Sequence, residues 1–290
     1  MLTVLLHTDR PITPPPPQLA LALRTGWWAH EHNASVAHEQ KRFSTALWRS
    51  WSIHQVHKYE WALETAIALD AAIVMLIDSD VITQCDAPEL LRRWALFNTS
   101  LLIGAESNWW PRKDPSRDPF EPNEPARYPN SGLMIGTRAG LEALVASLRA
   151  MPSFPCCPAP FRSRPDGLEP TKCLVEDQGC LQTALMSGTV PHRLDSQRRL
   201  FWNVGYTHPS QFALTHDGRK ITRRPRAGRG QPKVPSDMNL DEVPCVLHFN
   251  GGPRAKWAAR LLAARVVRNA YAKTDRGPVT SLWMPAASPR

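Results

Sequence analysis

Asp78 and Asp80 stand one residue apart at the end of the apolar run Ile73-Val74-Met75-Leu76-Ile77. Two carboxylates this close repel each other, and desolvating both is costly unless a cation or a set of donors compensates them. A hard divalent ion, Mn²⁺ or Mg²⁺, held by the carboxylates and bridged to substrate phosphates would do so. A strand followed by a plain acidic turn is the alternative. Near the other end of the chain, Val246-Leu247-His248-Phe249-Asn250-Gly251-Gly252-Pro253-Arg254-Ala255-Lys256 runs from an apolar segment through glycines to a cation. His248 can offer a neutral nitrogen to a metal. Gly251 and Gly252 let backbone N–H groups approach a pyrophosphate, and Lys256 adds charge. A structural histidine is the competing reading of His248.

Three further groups have suitable types. Lys58 falls in the first turn of a helical pattern, where the helix dipole disfavours a cation, so it answers to a ligand phosphate or is an ordinary surface lysine. Tyr128-Pro129-Asn130-Ser131-Gly132 combines a tight backbone with polar groups able to grip a sugar or phosphate. Glu176-Asp177-Gln178 opens a helical run; its acids are either dipole partners or face a reacting sugar and its acceptor.

The elements that must position these residues follow from periodicity. Ile73 to Ile77 predicts a strand buried on both faces, as in a parallel sheet covered by helices, and ligands of such sheets bind beyond the carboxyl ends of the strands. Thr3 to His7 predicts a first strand ending at Thr8, well placed to meet a nucleotide, with Pro14 to Pro17 as a stiff connector. Helices are expected at Gln18 to Ala29, Phe43 to Ser52, Val56 to Leu69, Ala87 to Phe97, Ala139 to Met151, Glu176 to Met186 and Trp257 to Tyr271. Asp86 as N-cap and Pro88 in the first turn mark the fourth of them. Further strands are expected at Ala34 to His38, Ser100 to Gly104, Leu133 to Ile135, Arg193 to Asp195, Leu200 to Trp202 and Val246 to Phe249. Thr215 to Arg219 has hairpin-turn chemistry.

At 290 residues with 42% apolar content the chain can bury one large core. Its 28 Pro and 11 Trp point to long ordered loops and aromatic-lined surfaces. The formal charge of +9 favours anionic partners, but Arg219, Lys220, Arg223, Arg224, Arg226, Arg229 and Lys233 concentrate it in a stretch over about 217–235. That stretch reads as an exposed loop, either simply solvated or docking an acceptor or polyanion. Specific nucleic-acid binding is not expected, since no aromatic-basic array suited to stacking accompanies the charge. The six cysteines show no paired C-x-x-C spacing, which argues against structural zinc, and Cys173 with Cys180 could bridge in an oxidising compartment. No stretch approaches the roughly 20 apolar residues of a membrane span. Met1-Leu2-Thr3-Val4-Leu5-Leu6-His7-Thr8 reads as an immediate first strand, not as a signal peptide.

Taken in order, these motifs resemble the glycosyltransferase domain of the procollagen lysyl hydroxylase (PLOD) family. The resemblance rests on the initial strand and Thr8, Lys58 before the acid strand, Ile-Asp-Ser-Asp-Val-Ile, Gly-Ala-Glu-x-x-Trp-Trp-Pro, Tyr-Pro-Asn-Ser-Gly-x-x-Ile-Gly, Glu-Asp-Gln, Leu-Asp and His-x-Asn-Gly. It implies an α/β, GT-A (Rossmann-like) nucleotide-sugar transferase fold with a mostly parallel central sheet flanked by helices. One domain is expected over residues 1–276, with 277–290 a disordered tail.

By the same resemblance Asp78, Asp80 and His248 are metal ligands, with Thr8, Lys58, Ser79, Asn250, Gly251, Gly252 and Lys256 around the uridine diphosphate. Trp110, Asn130, Ser131, Gly132 and Gln178 lie on the sugar and acceptor side, and Asp177 and Glu176 are the catalytic carboxylates. The family separates its two aspartates by two residues, one of them aromatic, where this chain has Ser79 alone. The implied activity is Mn²⁺-dependent transfer of glucose or galactose from a UDP-sugar to hydroxylysine or galactosyl-hydroxylysine of collagen-like proteins, in the endoplasmic reticulum lumen or secretory pathway. The competing readings are a GT-A transferase with another glycan or protein acceptor and a non-catalytic UDP-sugar-binding module.

Overall fold

The protein is described from a computed structural model, which covers residues 2–8, 28–33, 57–78, 81–110, 124, 126–151, 177–205, 212–214, 221–223 and 243–250. Six strands form the main sheet: β1 (Leu2–Thr8), β2 (Trp28–Asn33), β3 (Ile73–Asp78), β5 (Leu101–Glu106), β6 (Tyr128–Thr137) and β7 (Arg193–Asp195). Their spatial order is β2-β1-β3-β6-β5-β7. Pairings of β1 with β2 and β3, and of β5 with β7, are parallel, while β6 runs antiparallel to both β3 and β5. A smaller sheet of β4 (Val81–Thr83), β11 (Val246–His248) and β8 (Phe201–Asn203) has the order β4-β11-β8. The strands β9 (Phe212–Leu214) and β10 (Ile221–Arg223) pair antiparallel, and the turn expected at 215–219 lies outside the described residues.

The apolar runs are continuous because both faces of the sheet are covered, and the strand period of two sorts alternate side chains between them. Val74 and Leu76 of β3, Leu101 and Ile103 of β5 and Met134 of β6 pack with three helices, α1 (Lys58–Ala68), α3 (Arg138–Ala150) and α4 (Asp177–Met186). Met75 and Ile77, Leu102, and Leu133 and Ile135 face the opposite way. They meet Val81, Phe201 and Val246 of the small sheet and Leu90 of α2 (Ala87–Ala95). The α2 N-terminus is built as its sequence predicts, with the Asp86 carboxylate accepting the Glu89 N–H at 2.9 Å and proline in the first turn.

Three expectations change. A strand forms at Trp28–Asn33, whose first residues were expected to end a helix, because the segment adds in parallel to the open edge of β1. The strand expected at Leu133 to Ile135 begins earlier: Tyr128 to Gly132 is the first half of the ten-residue β6, and Tyr128 and Pro129 pair with Glu106 and Ala105 beyond a register shift in β5. Part of the basic stretch is ordered structure: Ile221 is buried, and both its N–H and its C=O bond to the side chain of Gln84. The expected helices at 43–52 and 257–271, the strand at 34–38, most of the helix at 18–29 and the tail at 277–290 lie outside the described residues.

A disulfide that spacing does not reveal joins Cys85, just after β4, to Cys245, just before β11. Cys180 is disulfide-bonded as well. The Cys85–Cys245 bridge closes a loop of sequence separation 160 and ties the strand that follows the acid pair to the strand that carries His248. Replacing both cysteines with alanine should lower unfolding stability by about 3 kcal/mol. Urea unfolding of the double variant measures this; a midpoint equal to wild type would show that the bridge adds nothing to the paired strands.

Candidate active site

Strand direction assembles the site. Because β6 opposes β3 and β5, its first residues share one edge of the sheet with the last residues of those two strands. Ile77 pairs with Leu133, so Asp78 and Gly132 come together at that edge, and Glu106 ends β5 beside Tyr128. The small sheet delivers His248 to the same place through its pairing with Val81 and Asn203. The α1 and α4 N-termini contribute Lys58, Asp177 and Gln178.

Lys58 is not a surface residue, being 1% exposed. Its ammonium lies 2.6 Å from Asp177 Oδ2 and 3.1 Å from Asp78 Oδ1. Burial pulls its pKa down, but Asp177 and Asp78 outweigh that and hold the ammonium well above the usual lysine range. The cation at a helix start that the dipole disfavours is thus compensated by two carboxylates, and it links the acid strand to the acid helix.

Asp78 Oδ2 lies 3.9 Å from His248 Nε2. Two ligand atoms each about 2.1 Å from one small divalent ion are separated by roughly 3 to 4 Å, so this spacing suits a shared ion. Glycine at position 132 keeps its own side chain out of the gap between them: a Cβ there would sit 2.2 Å from His248 Cε1, 2.7 Å from Nε2 and 2.8 Å from Asp78 Oδ2. Among the described residues no group of three His, Cys, Asp or Glu side chains is placed to hold a metal. Asp80, the remaining acid of the expected set, lies outside those residues. The donor set that is described, one carboxylate and one imidazole beside a glycine, fits a hard divalent ion.

Behind the imidazole lies a buried amide network. His248 Nδ1 bonds to Asn203 Oδ1 at 2.7 Å and to Asn130 Oδ1 at 3.0 Å. Asn130 Oδ1 also accepts the Gly132 N–H at 2.9 Å, and its Nδ2 donates to Gln178 Oε1 at 3.1 Å. Gln178 Nε2 in turn donates to Glu106 Oε1 and to the Trp110 carbonyl. Asn250, held by the Gly205 N–H on its Oδ1, donates to Glu106 Oε2 at 2.7 Å. Burial pushes the Glu106 carboxyl up to about 7, against the pull of the Gln178 and Asn250 donors and the nearby His248. Trp109 stacks on Tyr128 with ring centroids 5.5 Å apart, and the Arg127 guanidinium lies over Tyr128. Trp110 is partly exposed beside this stack.

Of the sequence candidates, the structure brings together Asp78, Lys58, Asp177, Gln178, Asn130, Gly132 and His248. Asn250 joins them through Glu106. Ser131 is buried within β6, and Thr8 ends β1, next to the end of β3 through the pairing of His7 with Asp78. Ser79, Glu176, Gly251, Gly252 and Lys256 lie outside the described residues. Sequence reasoning gave no role to three residues. Glu106 stands in the Gly-Ala-Glu motif at a strand end, a signal that could have found it. Gln182 donates to the Trp110 carbonyl at 2.7 Å and lies one turn after Gln178. Asn203 follows the short strand Leu200 to Trp202 and carries no signal of its own. The Leu-Asp motif has a structural role: buried Asp195 accepts the N–H groups of Arg199, Leu200 and Phe201 and so starts β8. Burial raises the Asp195 pKa against those donors.

Residues 52–152 match the family model for the PLOD GT domain, a glycosyltransferase domain. Among curated proteins none matches. The solved structures similar to this chain include a glycosyltransferase involved in glycosylation of the major capsid of PBCV-1, at 12% identity and TM-score 0.46 over 90% of this chain and 98% of that one. Mouse xyloside xylosyltransferase 1 in its apo form shows 13% identity and TM-score 0.38 over 71% and 88%. A197 from STIV shows 13% identity and TM-score 0.31 over 81% and 100%. Likenesses this slight carry nothing about chemistry.

Proposed function

We propose, from a glycosyltransferase domain over residues 52–152, that the protein transfers a hexose, glucose or galactose, from a UDP-sugar to hydroxylysine or galactosyl-hydroxylysine of a collagen-like acceptor. The observation that carries this is the convergence of Asp78 and His248 on the open side of Gly132. Asp78, His248 and Asp80 would hold Mn²⁺ or Mg²⁺, which when bound supplies charge to a departing diphosphate. Thr8, Ser79, Asn250, Gly251, Gly252 and Lys256 surround the nucleotide in this reading. Lys58 keeps Asp78 in place and adds positive charge near the leaving group. The bond between the anomeric carbon and the diphosphate oxygen breaks, and the acceptor hydroxyl oxygen bonds to that carbon. The hydroxyl proton passes to a carboxylate, Glu176 or Asp177. Asp177 is pinned to Lys58 at 2.6 Å, which favours an orienting role for it and leaves proton transfer to Glu176. Exposed Trp110 would meet the sugar or acceptor, with buried Asn130, Ser131 and Gln178 shaping that side from behind. The Cys85–Cys245 disulfide favours an oxidising compartment such as the endoplasmic reticulum lumen.

Following UDP release from UDP-glucose and UDP-galactose, with and without Mn²⁺ and a hydroxylysine peptide, tests the reading. Mn²⁺-dependent release, stimulated by the peptide and abolished in Asp78→Ala with unchanged circular dichroism, is expected. Full turnover in Asp78→Ala would remove the metal site. Release stimulated only by a different acceptor would remove the collagen-like one.

A further inference from the structure

We propose that Asn203 is a positioning residue that holds His248 with its proton on Nδ1, so that Nε2 is the nitrogen presented to Asp78 and Gly132. The inference rests on the metal-site reading above. Asn203 is 2% exposed and is the cross-strand partner of His248 in the β8–β11 pair. The next peptide fixes the pairing, with the Val204 N–H donating to the His248 carbonyl at 2.9 Å.

The orientation of the Asn203 amide is determined by its other end. Nδ2 donates to the Ala105 carbonyl at 3.0 Å, and a carbonyl can only accept. The face turned to His248 is therefore the Oδ1 acceptor, and the bond at 2.7 Å requires a proton on Nδ1. Asn130 reaches the same requirement independently. Its Nδ2 is directed at Gln178 Oε1 and its Oδ1 accepts the Gly132 N–H, so it too turns an oxygen towards Nδ1. Two amides anchored on different strands thus specify one tautomer. An imidazole that ligates through one nitrogen commonly donates its other N–H to such a partner, and losing that partner typically weakens metal binding 10- to 100-fold. The geometry also explains why a buried Asn follows an otherwise apolar strand: Leu at this position would fill the space but leave the Nδ1–H without its shorter bond and the Ala105 carbonyl without its donor.

Long-range ¹H–¹⁵N correlation spectra of metal-free protein at pH 8, where an unperturbed imidazole is neutral, test the proposal without reference to turnover. His248, assigned by its loss in His248→Ala, should show the Nδ1–H tautomer. Asn203→Leu leaves only the longer Asn130 bond on Nδ1, so it should show a fraction of the Nε2–H tautomer and bind Mn²⁺ about 10-fold or more weakly by calorimetry. Asn203→Asp should retain the Nδ1–H tautomer and most of the Mn²⁺ affinity, because a carboxylate oxygen accepts from Nδ1–H as the amide oxygen does. An Nε2–H tautomer in wild type overturns the proposal, as does a Leu variant with wild-type spectrum and affinity. Equal impairment in the Leu and Asp variants would reduce Asn203 to a packing role and overturn it as well. Absence of sugar transfer with the expected tautomers would count against the proposed function alone.

Discussion

Gly132→Ala should abolish metal-dependent turnover, lowering it at least about 100-fold while the sheet still forms. The added methyl would begin 2.2 Å from His248 Cε1 and 2.8 Å from Asp78 Oδ2, distances at which something must move. Neither neighbour can yield cheaply. His248 is held through Nδ1 by Asn203 and Asn130, and Asp78 through Oδ1 by buried Lys58. The methyl therefore takes the space between the two groups, which is the space a shared ion needs, and a misplacement near 1 Å at a reacting centre can cost about 100-fold. Mn²⁺ titration monitored by calorimetry, alongside UDP release, measures the effect. Near wild-type affinity and turnover would mean that the gap at Gly132 is not where the ion and diphosphate bind.

Lys58→Met should be the most destabilising single change at the site, by about 3–5 kcal/mol, because it leaves two carboxylates near the core without their shared cation. Asp177 is almost fully buried, so it bears most of the cost. The sign of the pH dependence follows from the raised folded pKa of Lys58. A cation stabilised in the folded state contributes fully below its unfolded value, near 10.5, and loses that contribution only as pH rises through the higher folded value. This contribution of Lys58 is thus constant between pH 6 and 9. Adding Asp177→Asn to Lys58→Met should recover part of the stability, since one of the stranded charges is gone. Urea unfolding of the four members of this cycle reads the coupling directly. A loss below about 1 kcal/mol in Lys58→Met would show that the buried ion pairs are solvated well enough to be dispensable.

Elements whose causes are local were legible in the sequence. The 73–77 run of β3 is apolar at every position because helices cover one face and the small sheet the other, and Asp86 with Pro88 announces the start of α2. The order of short motifs along the chain pointed to the family whose model matches residues 52–152. What was not legible depends on partners far apart in sequence. The Cys85–Cys245 bridge spans a separation of 160, and six cysteines allow many connectivities. Tyr128 to Gly132 has turn-forming composition, yet pairing with Ala105 and Glu106 draws its start into a strand. Lys58 looks like a surface lysine until Asp78 and Asp177 are brought to it. Asn203 acquires meaning only when β8 lies beside β11, and the Gly-Ala-Glu motif marks Glu106 without showing the burial and two amide donors that surround it.

Pulsed electron paramagnetic resonance of the protein with Mn²⁺ and UDP examines the shared ion most directly. The account requires a histidine nitrogen and diphosphate phosphorus both coupled to the same Mn²⁺, with the nitrogen coupling lost in His248→Ala and the fold intact. Phosphorus coupling without a protein nitrogen, or a nitrogen coupling that survives in His248→Ala, would contradict it.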